Sequence, residues 1–107
     1  MRLRTETPKK FINDEDHRMA LIANALGHPL RIALVRYLSN KNNGKGVDNA
    51  TCNKDLVQLF EYSQSTISQH VKVLKEAGIF ITESKDKFTF YTLNRDVLNL
   101  FVKSILK

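Results

Sequence analysis

The sequence predicts a mainly α fold with one small β-hairpin, in the element order α-α-α-α-β-β-α. Three observations predict it. Apolar residues recur at helical spacing in five segments. Aromatic and β-branched residues flank a polar turn near the C-terminal end. Helix-capping residues stand at the segment boundaries. At 107 residues, 42% hydrophobic and 26% charged, the chain has the length and composition of one globular domain. It is too short for a doubly wound nucleotide-binding fold with a substrate domain.

Residues 1–12 read as a basic N-terminal arm. Arg2, Arg4, Lys9 and Lys10 are cationic, Pro8 breaks regular structure, and Phe11-Ile12 offers an apolar anchor. Residues 13–107 then form the domain. Asn13 is a good N-cap, and Asp14, Glu15 and Asp16 complement the positive end of a first helix. Met19, Ile22, Ala23 and Leu26 make its buried stripe, and Gly27 its stop. Pro29 opens a second helix, where its missing N–H costs nothing, and Leu30, Ala33, Leu34, Tyr37 and Leu38 share a face. Ser39 to Cys52 is rich in Asn and Gly and reads as a loop, with no more than a short strand near Val47. A third helix fits Asn53 to Phe60, a short turn Tyr62 to Gln64, and a fourth helix Ser65 to Ala77, closed by Gly78. Ile79–Glu83 and Phe88–Leu93 flank Ser84–Lys87 as a hairpin. Asn94 caps a last helix to about Leu106, in which Val97, Leu98, Leu100, Phe101, Val102, Ile105 and Leu106 are apolar. That is too many for one stripe, so one face serves the core and another a partner. Two short helices joined by a few residues and followed directly by a hairpin form a winged helix-turn-helix.

Charge narrows the function classes. Seventeen Lys and Arg against eleven Asp and Glu leave +6, which favours polyanions, nucleic acid before anionic membrane. No apolar run approaches the roughly 20 residues of a spanning helix, and the polar N-terminus lacks a secretory signal, so the expected compartment is the cytoplasm. A single cysteine forms no intrachain disulfide and no multi-thiolate zinc site within one chain. No His-Glu-x-x-His, phosphate-binding glycine loop or Gly-x-Ser-x-Gly elbow is present, so an enzyme is not expected.

The fourth helix carries the most specific signal. At about 100° per residue, Ser65, Ser68, Gln69, Lys72 and Glu76 share one face, with Ile67, Val71 and Leu74 roughly opposite. Short polar side chains of this kind suit base edges and phosphates in a major groove. Gln69 is suited to pair with adenine, Lys72 with guanine or a phosphate, and Ser65 with a phosphate at the free N–H groups of the first turn. An ordinary solvated helix face has a similar composition; the hairpin that follows in the right place favours the DNA reading. Lys85 and Lys87 at the hairpin tip suit phosphate or minor-groove contact, with Asp86 between them opposing it.

Three stretches in joint order carry a family resemblance. Gln64-Ser-Thr-Ile-Ser-Gln-His-Val-Lys-Val-Leu-Lys-Glu-Ala-Gly-Ile79 resembles the recognition segment of ArsR/SmtB-type bacterial repressors. Ala25-Leu-Gly-His-Pro-Leu-Arg-Ile-Ala-Leu-Val-Arg-Tyr-Leu38 resembles that family's second-helix signature, and Phe88-Thr-Phe-Tyr-Thr-Leu-Asn94 the second strand of its wing. The similarity covers roughly residues 17 to 94. It implies a homodimeric repressor that dimerises through its first and last helices and binds imperfect palindromes. The candidate DNA-binding set is Gln64, Ser65, Thr66, Ser68, Gln69, His70, Lys72, Lys85 and Lys87. The candidate dimer interface is Phe11, Met19, Ile22, Val97, Leu98, Phe101, Val102 and Ile105.

The chain departs from the metal-sensing pattern of that family. Where a Cys-x-Cys-Asp motif is found at the third helix, this chain has Cys52-Asn53-Lys54-Asp55. One thiol beside a cation is a poor thiophilic site. The last helix carries Asp96 but no His, so no metal or cofactor is assigned. Cys52 reads as structural, with oxidation of a lone thiol as the alternative. His17 reads as a solvated surface residue, His28 as a helper of the second helix cap, and His70 as partly packed on the recognition helix, a position that the resemblance puts close to DNA. The reading is a sequence-specific repressor with no assigned inducer. The competing reading is a protein-interaction module that uses the apolar last helix on a winged-helix scaffold.

Overall fold

A computed structural model of the protein describes residues 11–41 and 51–106. Its elements are α1 (Asp14–Ala25), α2 (Pro29–Lys41), β1 (Thr51–Cys52), α3 (Asn53–Phe60), α4 (Gln64–Glu76), β2 (Phe80–Lys85), β3 (Phe88–Leu93) and α5 (Arg95–Ile105). Five helices and an antiparallel hairpin thus stand in the expected order. The basic arm is outside the described residues except for Phe11 and Ile12, as is Val47.

Local chemistry sets the boundaries. Asn13 and Asp16 cap α1 reciprocally: the Asn13 side chain accepts from the Asp16 N–H and the Asp16 carboxylate from the Asn13 N–H, each at 3.0 Å. The end of α4 is a Schellman closure. Gly78, at φ 80°, donates to the Lys75 carbonyl at 2.9 Å, and Ile79 donates to the Leu74 carbonyl at 2.9 Å. Leu74 and Ile79, brought together by that closure, are both fully buried.

Four features differ from the sequence reading. α2 continues past Ser39 to Lys41, because the end of the helix is held from outside: the Arg95 guanidinium donates to the Ser39 carbonyl at 2.6 Å. α4 begins one residue early, at Gln64, because Ser63 caps it, accepting from the Thr66 N–H at 3.2 Å. Cys52 is not in a loop. Its backbone is extended and pairs with Phe90, adding β1 to the hairpin in a three-stranded antiparallel sheet of order β1-β3-β2. The turn of the hairpin is shorter than Ser84–Lys87. Lys85 pairs with Phe88, leaving Asp86-Lys87 as a two-residue connection with Asp86 in the left-handed region at φ 57°. Aspartate tolerates that region better than most residues, which explains a tight turn without glycine.

One core unites the elements. Ile22 of α1, Leu34 and Leu38 of α2, Leu56 of α3, Ile67 and Leu74 of α4, and Ile79 are its largest fully buried side chains. Met19, Ala25, Leu30, Val71, Phe80 and Tyr91 complete it. α5 contributes no buried residue; Val97, Leu98 and Phe101 pack on the core from one side. Two polar ties fix α5: Arg95 on Ser39, and the Ser104 hydroxyl donating to the Glu15 carboxylate at 2.6 Å.

Met19 and Ile22 correct the sequence reading of the dimer face. They are 5% and 1% exposed and belong to the protomer's own core. The apolar side chain that α1 leaves in solvent is Leu21, at 66%. The inward stripe of α1 is Met19, Ile22 and Ala25; Leu26 is half-buried and Ala23, expected in the stripe, is exposed.

Leu34→Ala is expected to lower stability by about 2–5 kcal/mol in urea unfolding, from reduced burial and an unfilled cavity. Ile81→Thr, on the exposed side of β2, is expected to stay within about 0.5 kcal/mol of wild type.

Candidate nucleic-acid interface

The three-residue connection Glu61-Tyr62-Ser63 sets α4 against α3. Glu61 adopts φ 55° at the end of α3, reversing the chain within one residue, and its N–H donates to the Val57 carbonyl at 3.1 Å. Ser63 then starts α4. Its hydroxyl accepts from the Thr66 N–H and donates to the Thr66 hydroxyl at 2.9 Å. One first-turn donor is thereby used, leaving the Gln64 and Ser65 N–H groups among those that point off the helix start.

Burial of Ile67, Val71 and Leu74 fixes the rotation of α4. Gln64, Ser65, Ser68, Gln69, Lys72 and Glu76 are consequently exposed, and Thr66 and His70 half-buried on the flank. The polar face read from the sequence is thus presented as one surface. The hairpin stands beside it. Asn53, Lys54, Val57, Gln64, Lys87 and Phe88 line a groove of about 270 Å³ between the start of α3, the start of α4 and the hairpin. Gln64 and Lys87 both face it. Lys85 lies on the strand, not in the two-residue turn, and is exposed. Lys54 belongs to the same groove and was not anticipated. Its spacing from Cys52 had marked only a missing thiol; the signal available was a cation in the first turn of the helix preceding α4.

His70 is set by its neighbours. Its ring lies 4.4 Å from that of His28, at an interplanar angle of 46°. Burial lowers its pKa below the ordinary 6.5, and the His28 ring and the Arg31 guanidinium lower it further. His28 caps α2 as expected, its Nδ1 accepting from the Leu30 N–H at 3.1 Å. Arg31 is half-buried and its Nε has no hydrogen-bond partner among the described residues. The sequence placed Arg31 off the core face but gave no sign that it meets His70.

Cys52 is buried at the junction of β1 and α3. Its N–H donates to the Asp55 carboxylate at 3.4 Å, and its thiol to the Asn53 side-chain oxygen at 3.6 Å. The Tyr91 phenol is pushed up chiefly by burial, with the Cys52 thiol a second cause. Among the described residues, no three His, Cys, Asp or Glu side chains gather closely enough to hold a metal ion. His17 is exposed on α1.

Comparison with known proteins places this architecture. A family model described as "Bacterial regulatory protein, arsR family" matches residues 28–80, from the turn before α2 to the start of β2. That family is one of regulatory proteins, not of enzymes, and the architecture is a winged helix-turn-helix. The chain belongs to the arsR family. The arsenical resistance operon repressor of Bacillus subtilis (strain 168) is 39% identical over 49 residues, 46% of this chain; the match spans 47% of that protein, about half its length. The transcriptional repressor BigR from Xylella fastidiosa superposes with a TM-score of 0.63 at 26% identity, over 91% of this chain and 92% of its own. HlyU from Vibrio cholerae N16961 shares the fold with a TM-score of 0.67 at 23% identity, over 84% of this chain and 90% of its own. The described fold is therefore shared well beyond the matched segment.

Two outcomes test this geometry. Ser63→Ala is expected to cost about 1 kcal/mol in chemical denaturation, through removal of the α4 cap. Because His70 has a lowered pKa in the folded state, the unfolded chain binds its proton more readily. Its contribution to stability is therefore present above the unfolded value of 6.5 and is lost as pH falls through the folded value. Thermal melts between about pH 8 and about pH 5.5 should show a flatter acid limb for His70→Gln than for wild type.

Proposed function

We propose that the chain is a sequence-specific DNA-binding transcriptional regulator, a repressor that binds a palindromic operator as a homodimer in the cytoplasm. One observation carries the reading: the exposed polar face of α4, with Ser65, Ser68, Gln69 and Lys72 aimed away from the core. Gln64, Thr66 and His70 flank that face, and Lys85, Lys87 and Lys54 line its hairpin side. In this reading α4 enters the major groove. Gln69 pairs with adenine, Lys72 contacts guanine or a phosphate, Ser65 and the first-turn amides hold a phosphate, and the lysines track the backbone. The net +6 supplies the sequence-independent part of the attraction.

The homodimer is supported by surface that one protomer leaves uncovered. Phe11, Leu21 and, on α5, Leu100, Val102, Ile105 and Leu106 are exposed, while Val97, Leu98 and Phe101 anchor α5 from beneath. Exposed large apolar side chains concentrated on two packed helices suit an interaction surface. A two-fold interface there would pair two copies of α4, and a palindromic site has the matching symmetry. The names of the Bacillus subtilis and Xylella fastidiosa relatives support repression as the outcome. Arsenical sensing through a thiol pair at the start of α3 is not part of the reading, because Cys52 is buried and Lys54 takes the second position. No helix of the described residues is long and apolar enough to cross a membrane.

Selection of binding sites from a random duplex pool at near-physiological salt is expected to enrich a palindrome. Gln69→Ala should relax the base preference at one position of each half-site. Lys87→Ala should weaken all sequences alike and reduce the salt slope by about 0.9 for each phosphate that is no longer neutralised. Retention without enrichment would leave only backbone electrostatics. No retention, with a monomer in sedimentation, would favour the apolar α5 face as a docking site for a different protein.

A further inference from the structure

We propose that His28, Arg31 and His70 form a phosphate-binding cluster beside α4, which takes a backbone phosphate of duplex DNA together with one proton on His70. The proposal rests on the DNA-binding reading and adds to it a contact from the turn before α2 and a dependence on pH.

The three groups come from two parts of the chain. His28 stands in the turn before α2, Arg31 one turn further on, and His70 in the middle of α4. The rings touch, 4.4 Å apart between centroids. The charged and titratable groups that face His70 are His28 and Arg31, both basic. From α3 and β2, also packed on α4, no titratable group among the described residues couples to it. Three basic side chains therefore share one place, and among the described residues no carboxylate couples to His70. The Arg31 Nε–H has no acceptor among the described residues, so the hydrogen-bonding capacity of the guanidinium is not used up within them.

An oxyanion would complete the cluster. A phosphate presents several acceptor oxygens, which suits a guanidinium and two ring N–H groups. The position points to DNA as the source. His28 is exposed, and His70 follows Gln69 directly, so the cluster opens at the edge of the polar face. A helix lying in a major groove has a phosphate strand along its flank.

The hydrogen bonds decide which ring takes the proton. The Nδ1 of His28 accepts from the Leu30 N–H, which leaves Nε2–H as the His28 donor for a ligand. A second proton, on Nδ1, would break the α2 cap. His70 makes no hydrogen bond among the described residues and is free to gain one. In the free protein burial and its two basic neighbours disfavour the protonated ring. A bound phosphate reverses that balance, so binding takes up a proton and strengthens as pH falls.

The test uses the full chain and a selected duplex, or a random-sequence duplex if none is enriched, in phosphate-free buffers of fixed ionic strength. Fluorescence anisotropy from about pH 8 to about pH 6 should show affinity rising by up to about tenfold per pH unit, the limit for one linked proton. His70→Gln and Arg31→Gln should flatten that slope, with folding at each pH checked by circular dichroism. His17→Gln, on exposed α1, should keep it. Should His70→Gln fail to fold, NMR of the wild-type His70 ring replaces it: DNA should raise its titration midpoint. A wild-type affinity that is flat with pH, or a slope unchanged in both variants, overturns the cluster and leaves DNA binding standing. Absence of DNA affinity at every pH overturns the DNA-binding reading itself. A ring response to inorganic phosphate in that case identifies a free anion as the ligand and overturns DNA as the occupant.

Discussion

The rest of the structure depends on the insertion of Ile67, Val71 and Leu74 into the space between α2, α3 and β2. These three residues turn α4 about its axis, and once they are buried no freedom remains in where the opposite face points. Each fully buried aliphatic side chain contributes about 1.5–3 kcal/mol through removal from water. A rotation that exposed them would therefore cost more than any polar contact on the outer face returns. The surface offered to a partner is a consequence of the core, although no core residue takes part in it.

Around that insertion, short-range hydrogen bonds fix where the helix starts and stops. Ser63 sets the first turn and the Gly78 closure the last, and the closure also seats Ile79 beside Leu74 at the point where the chain enters the sheet. β2 thus leaves α4 in a defined direction. β3 returns in register and is pinned on its other edge by β1, which belongs to the start of α3. The sheet therefore joins the helix before α4 to the hairpin after it, and the groove lined by Lys54, Gln64 and Lys87 is bounded by parts held in one unit.

The two ends of the described chain are joined more loosely. α5 buries no residue completely and is held by half-buried contacts, by Arg95 on Ser39 and by Ser104 on Glu15. Its outer face and that of α1 leave large apolar side chains in solvent, Ile105 at 59% and Val102 at 53%. In the proposed homodimer that area is covered, and stability becomes dependent on protomer concentration.

Much of this was legible in the sequence, because the relevant signals are local. Asn13 and Asn94 are cap residues within three positions of the N–H groups that they satisfy. Gly78 is the residue that a left-handed closure favours, and helical periodicity alone separated the polar side of α4 from Ile67, Val71 and Leu74. The bounds of α3 and the order of all helices followed from the same rules. What the tertiary structure decided are relations between segments distant in the chain. Periodicity finds an apolar stripe but not its partner, so Met19 and Ile22 read as interface and proved to be core, while Leu21 stayed outside. The pairing of Cys52 with Phe90 spans 38 positions, too far for any local rule, and two residues are too few for a strand signature. The meeting of His28 and Arg31 with His70 likewise exists only because α2 packs across α4. Backbone preference acts over a few residues and is written in them; a contact across the core depends on how every element between has packed.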